Sequence, residues 1–202
     1  MKTKNRNPST LLQGKNVNPI IQFYFEFNHL KQLFRQGWLL RGIPEKKCES
    51  VADHLFSTTI LTLIIAENYY PKLDFTKLLK MTLIHELGEI YVGDITPKDY
   101  IPKDMKYQWE LKALVEIFSK FPNGNSYISL WKEYEECKTP EAQFIRQIDI
   151  LEAAFQAVVY RLQYKNQRVD DFLPWTQKRL KDKLLINLIK ELTALKDNLN
   201  QK

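Results

Sequence analysis

The stretch Leu83-Ile84-His85-Glu86-Leu87-Gly88-Glu89-Ile90-Tyr91-Val92-Gly93-Asp94-Ile95-Thr96-Pro97 sets a histidine and three carboxylates among mostly apolar side chains. His85 and Glu89 are four residues apart, so on a helix they share one face, behind Leu78 and Thr82. A helix normally turns such a stripe toward the core. Ionisable groups placed there are costly unless something pairs with them. Two readings stay open from this stretch alone. Either a divalent metal pairs with these groups, or the stripe is a helix edge whose charges reach solvent.

Working outward, Asp74 is a predicted N-cap for a helix over 75–92, and Gly93 is its stop. Before it, Ser50 is a predicted N-cap for a helix with Val51, His54, Leu55, Thr58, Leu61, Thr62 and Ile65 on one face. His54 therefore stands among core residues, either as a satisfied core histidine or as a ligand. Earlier still, Pro19 opens a helix carrying Ile20, Phe23, Phe27, Leu30 and Phe34 at three-four spacing. His29 falls off that stripe, at the surface. Gly37 ends that helix, and residues 35–42 read as a loop or short turn. Residues 1–18 read as a polar N-terminal tail, and 19–200 as one helical domain.

Beyond Gly93, residues 94–104 form a proline-containing loop over the site. Helices are predicted at 105–121 and 126–137, parted by the turn signal Pro122-Asn123-Gly124-Asn125. Thr139 and Pro140 open a helix to about residue 165, with Asp149 in its middle between Ile148 and Ile150. An aspartate in that setting needs a partner, either Arg146 or a metal. Residues 168–174 read as a loop. A last helix carries Leu185, Leu188, Leu192, Leu195 and Leu199. No stretch alternates as a β-strand does, so the fold class is all-α.

A chain of 202 residues can bury a core within one domain. It has no apolar run long enough to span a membrane and no secretory signal, so no membrane partner is expected. Cys48 and Cys137 make no disulfide framework, which points to a reducing cytoplasm. The net charge of +6 is scattered and comes without a zinc-finger or RNP-like motif. It suits an anionic small substrate, and nucleic acid is not an expected partner.

His54, the adjacent pair His85-Glu86, and Asp149 thus stand on three predicted helices. Two imidazoles with two carboxylates suit Mn, Fe, Co, Ni or Zn, whereas a pure Mg or Ca site favours more oxygen. Neighbouring helix residues diverge, so His85 and Glu86 share an ion only if it lies between their directions.

In these residues the chain resembles the HD-domain phosphohydrolases, most closely their 5′-deoxynucleotidase branch. The matching segments are Arg35-Gln36-Gly37-Trp38 with Arg41, Glu49-Ser50-Val51-Ala52-Asp53-His54, the stretch quoted at the outset, and Glu141-Ala142-Gln143-Phe144-Ile145-Arg146-Gln147-Ile148-Asp149. The resemblance implies a single-domain HD helical bundle that works as a homodimer. It implies one divalent metal per chain (Mn, Co, Fe, Ni, Zn or Mg) held by His54, His85, Glu86 and Asp149. It also implies Glu89 and Asp94 as catalytic acids, and Arg35, Trp38, Arg41, Asp94, Ile95, Thr96 and Pro97 as substrate contacts. The implied reaction removes the 5′-phosphate from deoxyribonucleoside 5′-monophosphates. Glu86 departs from the family's pattern, which has aspartate there. Its carboxylate reaches about 1.3–1.5 Å farther. That departure keeps two alternatives in view: an HD phosphohydrolase acting on another nucleotide or phosphate ester, and a catalytically impaired nucleotide-binding protein.

Overall fold

The computed structural model describes residues 1–165 and 167–200. Its α-helices are α1 (Pro19–Phe27), α2 (Gln36–Leu40), α3 (Val51–Tyr69), α4 (Phe75–Ile84), α5 (Glu89–Val92), α6 (Lys103–Phe118), α7 (Gly124–Glu136), α8 (Pro140–Tyr164), α9 (Phe172–Gln177) and α10 (Lys183–Asn200). Among the described residues there is no β-strand, only the isolated bridges Thr3–Leu33 and Phe34–Ser50. The fold is an all-α single domain.

Helix starts follow local chemistry. The Ser50 side chain accepts from the Asp53 amide while Asp53 accepts from the Ser50 amide, a reciprocal cap at the head of α3. Asp74 caps α4 through the Lys77 amide, and Thr139 with Pro140 opens α8. α8 is the central pillar, packing against α3, α4, α7, α9 and α10. One apolar core, including Leu78, Met81, Ile145, Ile148, Leu151, Leu185 and Ile189, lies along α4, α8 and α10. A second, including Leu30, Leu33, Val51, Ile90, Leu114, Ile117 and Trp131, joins α3, α5, α6 and α7. Apolar burial at about 25 cal/mol per Å² makes these two cores the main source of stability.

Several elements differ from the sequence reading. The predicted helix over 75–92 is broken. α4 ends at Ile84, residues 85–88 form a tight turn, and α5 begins at Glu89. The turn uses short-range bonds, Leu87 N to Ile84 O at 3.0 Å and Glu89 N to Glu86 O at 3.0 Å. Gly88 ends this turn, and there α6 lies so close that an added Cβ would sit 2.8 Å from the Glu110 Cβ. α1 ends at Phe27 and passes into a 3₁₀ turn, Asn28–Lys31, so Gly37 does not end it; Gly37 lies inside α2. Ile20, expected on the buried stripe, is exposed, and His29, expected at the surface, is half-buried. The predicted loop over 168–174 instead carries a 3₁₀ turn and the start of α9. Leu195 and Leu199, at the end of α10, face solvent.

The polar segment 1–18 includes a 3₁₀ helix, Pro8–Leu12. It is stitched to the bundle by Lys4 N donating to Gln32 O at 2.6 Å, and by Lys2 N donating to Gln36 Oε1 at 2.9 Å.

Candidate metal centre

The break at residue 85 places the adjacent pair. His85 caps the C-terminal end of α4 with its ring buried, and Glu86 follows in the turn and lines the cavity. His54 comes from the first turn of α3 and Asp149 from the middle of α8. One ligand atom from each of His54, His85, Glu86 and Asp149 lies within 4.8 Å of all the others. Ligands on opposite sides of a divalent ion stand about 4.4 Å apart at most, so a closure of a few tenths of an ångström suffices to grip one. Glu86, despite its longer side chain, joins this cluster.

The imidazoles are oriented from behind. His54 Nδ1 lies 2.7 Å from Glu152 Oε2, and His85 Nδ1 lies 2.7 Å from the Thr82 carbonyl oxygen. Each Nδ1 thereby carries the proton as donor, which leaves the Nε2 lone pair free for a metal. Both Nε2 atoms are buried without a hydrogen-bond partner. His54 Nε2 is 3.1 Å from Asp149 Oδ1, outside hydrogen-bonding geometry. Two buried, unpartnered imidazole nitrogens facing two carboxylates fit a divalent cation.

Electrostatics agree. Burial and the Arg35 charge oppose protonation of His54, but Glu152 and Asp149 overcome them and lift its pKa to about 10, so without an ion a proton stands at Nε2 in the place a metal would take. Burial works against the Asp149 anion, yet the His54 contact holds it well below the usual carboxylate range. Burial also opposes the Glu86 anion, and His85, Arg35 and Lys106 bring it down to about 2. The cluster thus holds anions that call for positive charge. Arg146, the other candidate partner of Asp149, makes its ion pair with Glu135 at 3.1 Å and lies over the Tyr134 ring at 4.0 Å.

The cluster opens into a cavity of about 470 Å³, within the ~300–1,000 Å³ usual for small-molecule sites. Glu86, Glu89, Asp149, Arg35, Trp38, Arg41, Asp94, Ile95, Thr96 and Pro97 all line it. His54 and His85 are buried beneath. Arg35 donates from Nη1 to Asp94 Oδ1 at 2.8 Å, and the Gln36 amide donates to Asp94 Oδ2. Trp38 donates from Nε1 to Glu49 Oε1 at 2.6 Å, which fixes its ring against the cavity wall. Arg41 pairs with Asp171 at 3.0 Å and stacks over Phe172 at 4.4 Å. Glu89 is buried, with Oε2 unpartnered. Burial, then Glu86 and Asp94, raise its pKa well above the ordinary glutamate value.

Sequence reasoning missed three contributors. Glu152 lies three residues beyond Asp149, on the same face of α8, and helical periodicity alone could have flagged it. Lys106 lines the cavity and pairs with Glu110 at 3.1 Å, but its place depends on how α6 meets Gly88, which no local pattern announces. Trp175 lines the cavity from α9, inside and beyond the stretch read as a loop.

Comparisons with known proteins agree with this architecture. The HD-domain family profile matches residues 27–187. The chain is 31% identical over 189 residues to the 5′-deoxynucleotidase HDDC2 of Homo sapiens, covering 92% of this chain and 90% of that one. It is 36% identical over 150 residues to the 5′-deoxynucleotidase HDDC2 of Dictyostelium discoideum, covering 71% and 78%. Among solved structures, a conserved hypothetical protein from Pyrococcus furiosus superposes with a TM-score of 0.72 at 30% identity. That match covers 86% of this chain and 99% of the other.

Proposed function

The chain belongs to the HD-domain family, and on that premise we propose that it is a metal-dependent 5′-deoxynucleotidase, hydrolysing deoxyribonucleoside 5′-monophosphates to nucleoside and phosphate. The observation that carries this reading is the cluster of His54, His85, Glu86 and Asp149 at the floor of a cavity whose wall presents Arg35 and Lys106.

In this reading those four residues hold one divalent ion, of the Mn, Co, Fe, Ni, Zn or Mg set. A bound ion would supply Lewis-acid polarisation of a phosphoryl group and lower the pKa of water so that hydroxide is available near neutral pH. Glu89, buried beside the cluster with its Oε2 unpartnered, would hold a water there or take its proton. Arg35 offers a planar fork to the phosphate oxygens, held at the right angle by Asp94. Lys106 adds a second positive charge on the α6 side. Asp94 has lone pairs left for the sugar or the departing 5′-oxygen. Trp38, fixed by Glu49, walls the sugar, with Arg41 and the segment Ile95-Thr96-Pro97 closing the rim.

A cytoplasmic homodimer completes the reading. Cys48 and Cys137 are free thiols, and Phe56, Ile60 and Ile64 of α3 with Leu83 of α4 give a second copy an apolar face. Sedimentation of the purified chain reads the dimer directly.

A phosphate-release screen over deoxyribonucleotides, ribonucleotides and simple phosphate esters, with Mn, Co or Mg added, tests the activity. The expected outcome is release chiefly from deoxyribonucleoside 5′-monophosphates. Release chiefly from another substrate class would make the chain a different HD phosphohydrolase. Nucleotide binding without turnover would leave only a binding protein.

A further inference from the structure

Following α8 from Asp149, the cavity lining continues through Ile150 and Ala153 and passes to Phe172 and Trp175 of α9. This end is chemically unlike the end with the metal-ligand cluster. There the Arg41–Asp171 pair stands beside two aromatic rings of α9, which the cluster end lacks.

The two rings are not equivalent. Phe172 is held by two neighbours: Trp38 lies 4.6 Å away, centroid to centroid, and the Arg41 guanidinium covers the ring at 4.4 Å. Trp175 is braced differently. The Arg179 guanidinium lies over its ring at 4.1 Å, and Arg179 Nη1 donates to the Trp175 carbonyl oxygen at 3.3 Å. The indole nonetheless keeps 40% of its surface exposed while lining the cavity. Single exposed aromatics are ordinary on protein surfaces, and Tyr100 and Trp109 are examples here. Trp175 differs from them because it also lines the cavity that the reacting groups share.

We propose that Trp175 is the platform on which the nucleobase of the substrate stacks, so that α9 forms a nucleobase subsite. This rests on the reading of the substrate as a deoxynucleotide. A phosphate gains nothing from an indole, whereas a flat heteroaromatic ring does. Arg179 covers one face of Trp175, and the small Ala153 lines the same cavity from α8. Every base has a π-face, so this platform recognises the presence of a base more than its identity.

The test uses the full chain with Mn added, as wild type, Trp175→Ala and Trp175→Phe. It measures KM for dAMP and product inhibition by inorganic phosphate. Trp175→Ala is expected to raise the dAMP KM about 5- to 150-fold with phosphate inhibition unchanged, and Trp175→Phe to recover most of the loss. Equal weakening toward dAMP and phosphate, or no weakening toward either, overturns the subsite. If the wild type hydrolyses no nucleotide, the enzymatic reading fails on its own. Equilibrium dialysis of dAMP and phosphate against the same three proteins then decides the subsite. Selective loss of dAMP binding in Trp175→Ala supports it, and equal binding or no dAMP binding by the wild type overturns it.

Discussion

Glu26 and Glu89 are both glutamates with almost no exposed surface, and the chain surrounds them in opposite ways. Glu26 has every acceptor filled. Lys120 Nζ reaches both of its oxygens at 2.6 Å, Tyr91 donates from its hydroxyl at 2.9 Å, and Gln22 donates from Nε2 at 2.9 Å. Glu89 has an oxygen with no partner, and two of the groups nearest it electrostatically are the like-charged Glu86 and Asp94. Both regions meet on α5, where Glu89 faces the cavity and Tyr91 faces Glu26. A buried acid completed from within the chain belongs to the architecture. A buried acid left incomplete points to something the chain binds or transforms.

The largest expected effect falls on the incomplete side. Glu89→Gln should lower kcat by about 10²–10⁴-fold while metal content, read by elemental analysis, stays at the wild-type level. Turnover near wild type would remove Glu89 from the chemistry.

On the completed side, Lys120→Met leaves Glu26 buried without its counter-ion. It should cost about 3 kcal/mol in a denaturant titration, the lower end for breaking a buried pair, because Tyr91 and Gln22 still donate. The kcat per folded molecule should not change. A fall in kcat without a fall in stability would erase the contrast between the two acids.

Smaller effects come from the groups around the metal ligands. Glu152→Gln weakens the hold on His54 Nδ1 and should lower metal affinity by about 10–100-fold, measured by competition with a chelator. Glu86→Asp should change metal affinity and dAMP hydrolysis by less than about tenfold, because Glu86 already reaches the cluster. A gain of about tenfold in both would mean that the longer side chain handicaps the site.

The sequence was most readable where a local signal and a long pattern coincide. Ser50, Asp74 and Thr139 cap the helices they were read to cap, and His54 and Asp149 face inward as their apolar neighbours require. The short pieces were not readable. α2, α5 and α9 are too brief to be stable alone, and neighbours set their form. The stretch from Leu78 to Val92 fits one helix by periodicity, and no local pattern announces its interruption at 85–88 or the close approach of α6 at Gly88, a contact distant in sequence. Lys106, Trp175 and the stitching of residues 1–18 share that origin: each depends on contacts distant in sequence.

Gly88 carries a consequence for how substitutions in this chain can be misjudged. Its backbone is right-handed helical, φ −59° and ψ −29°, a conformation alanine adopts freely. By helix propensity Gly88→Ala is therefore an improvement of up to about 1 kcal/mol. Yet the new methyl would meet Glu110 Cβ at 2.8 Å and Cγ at 3.0 Å, with the α6 backbone close behind at 3.2 Å. Relief requires α6 to back away, and Lys106, one turn before Glu110, travels with it. A mutation scored as stabilising from its own segment would withdraw a cation from the substrate cavity, so its sign is set by a helix that begins fifteen positions later in the chain.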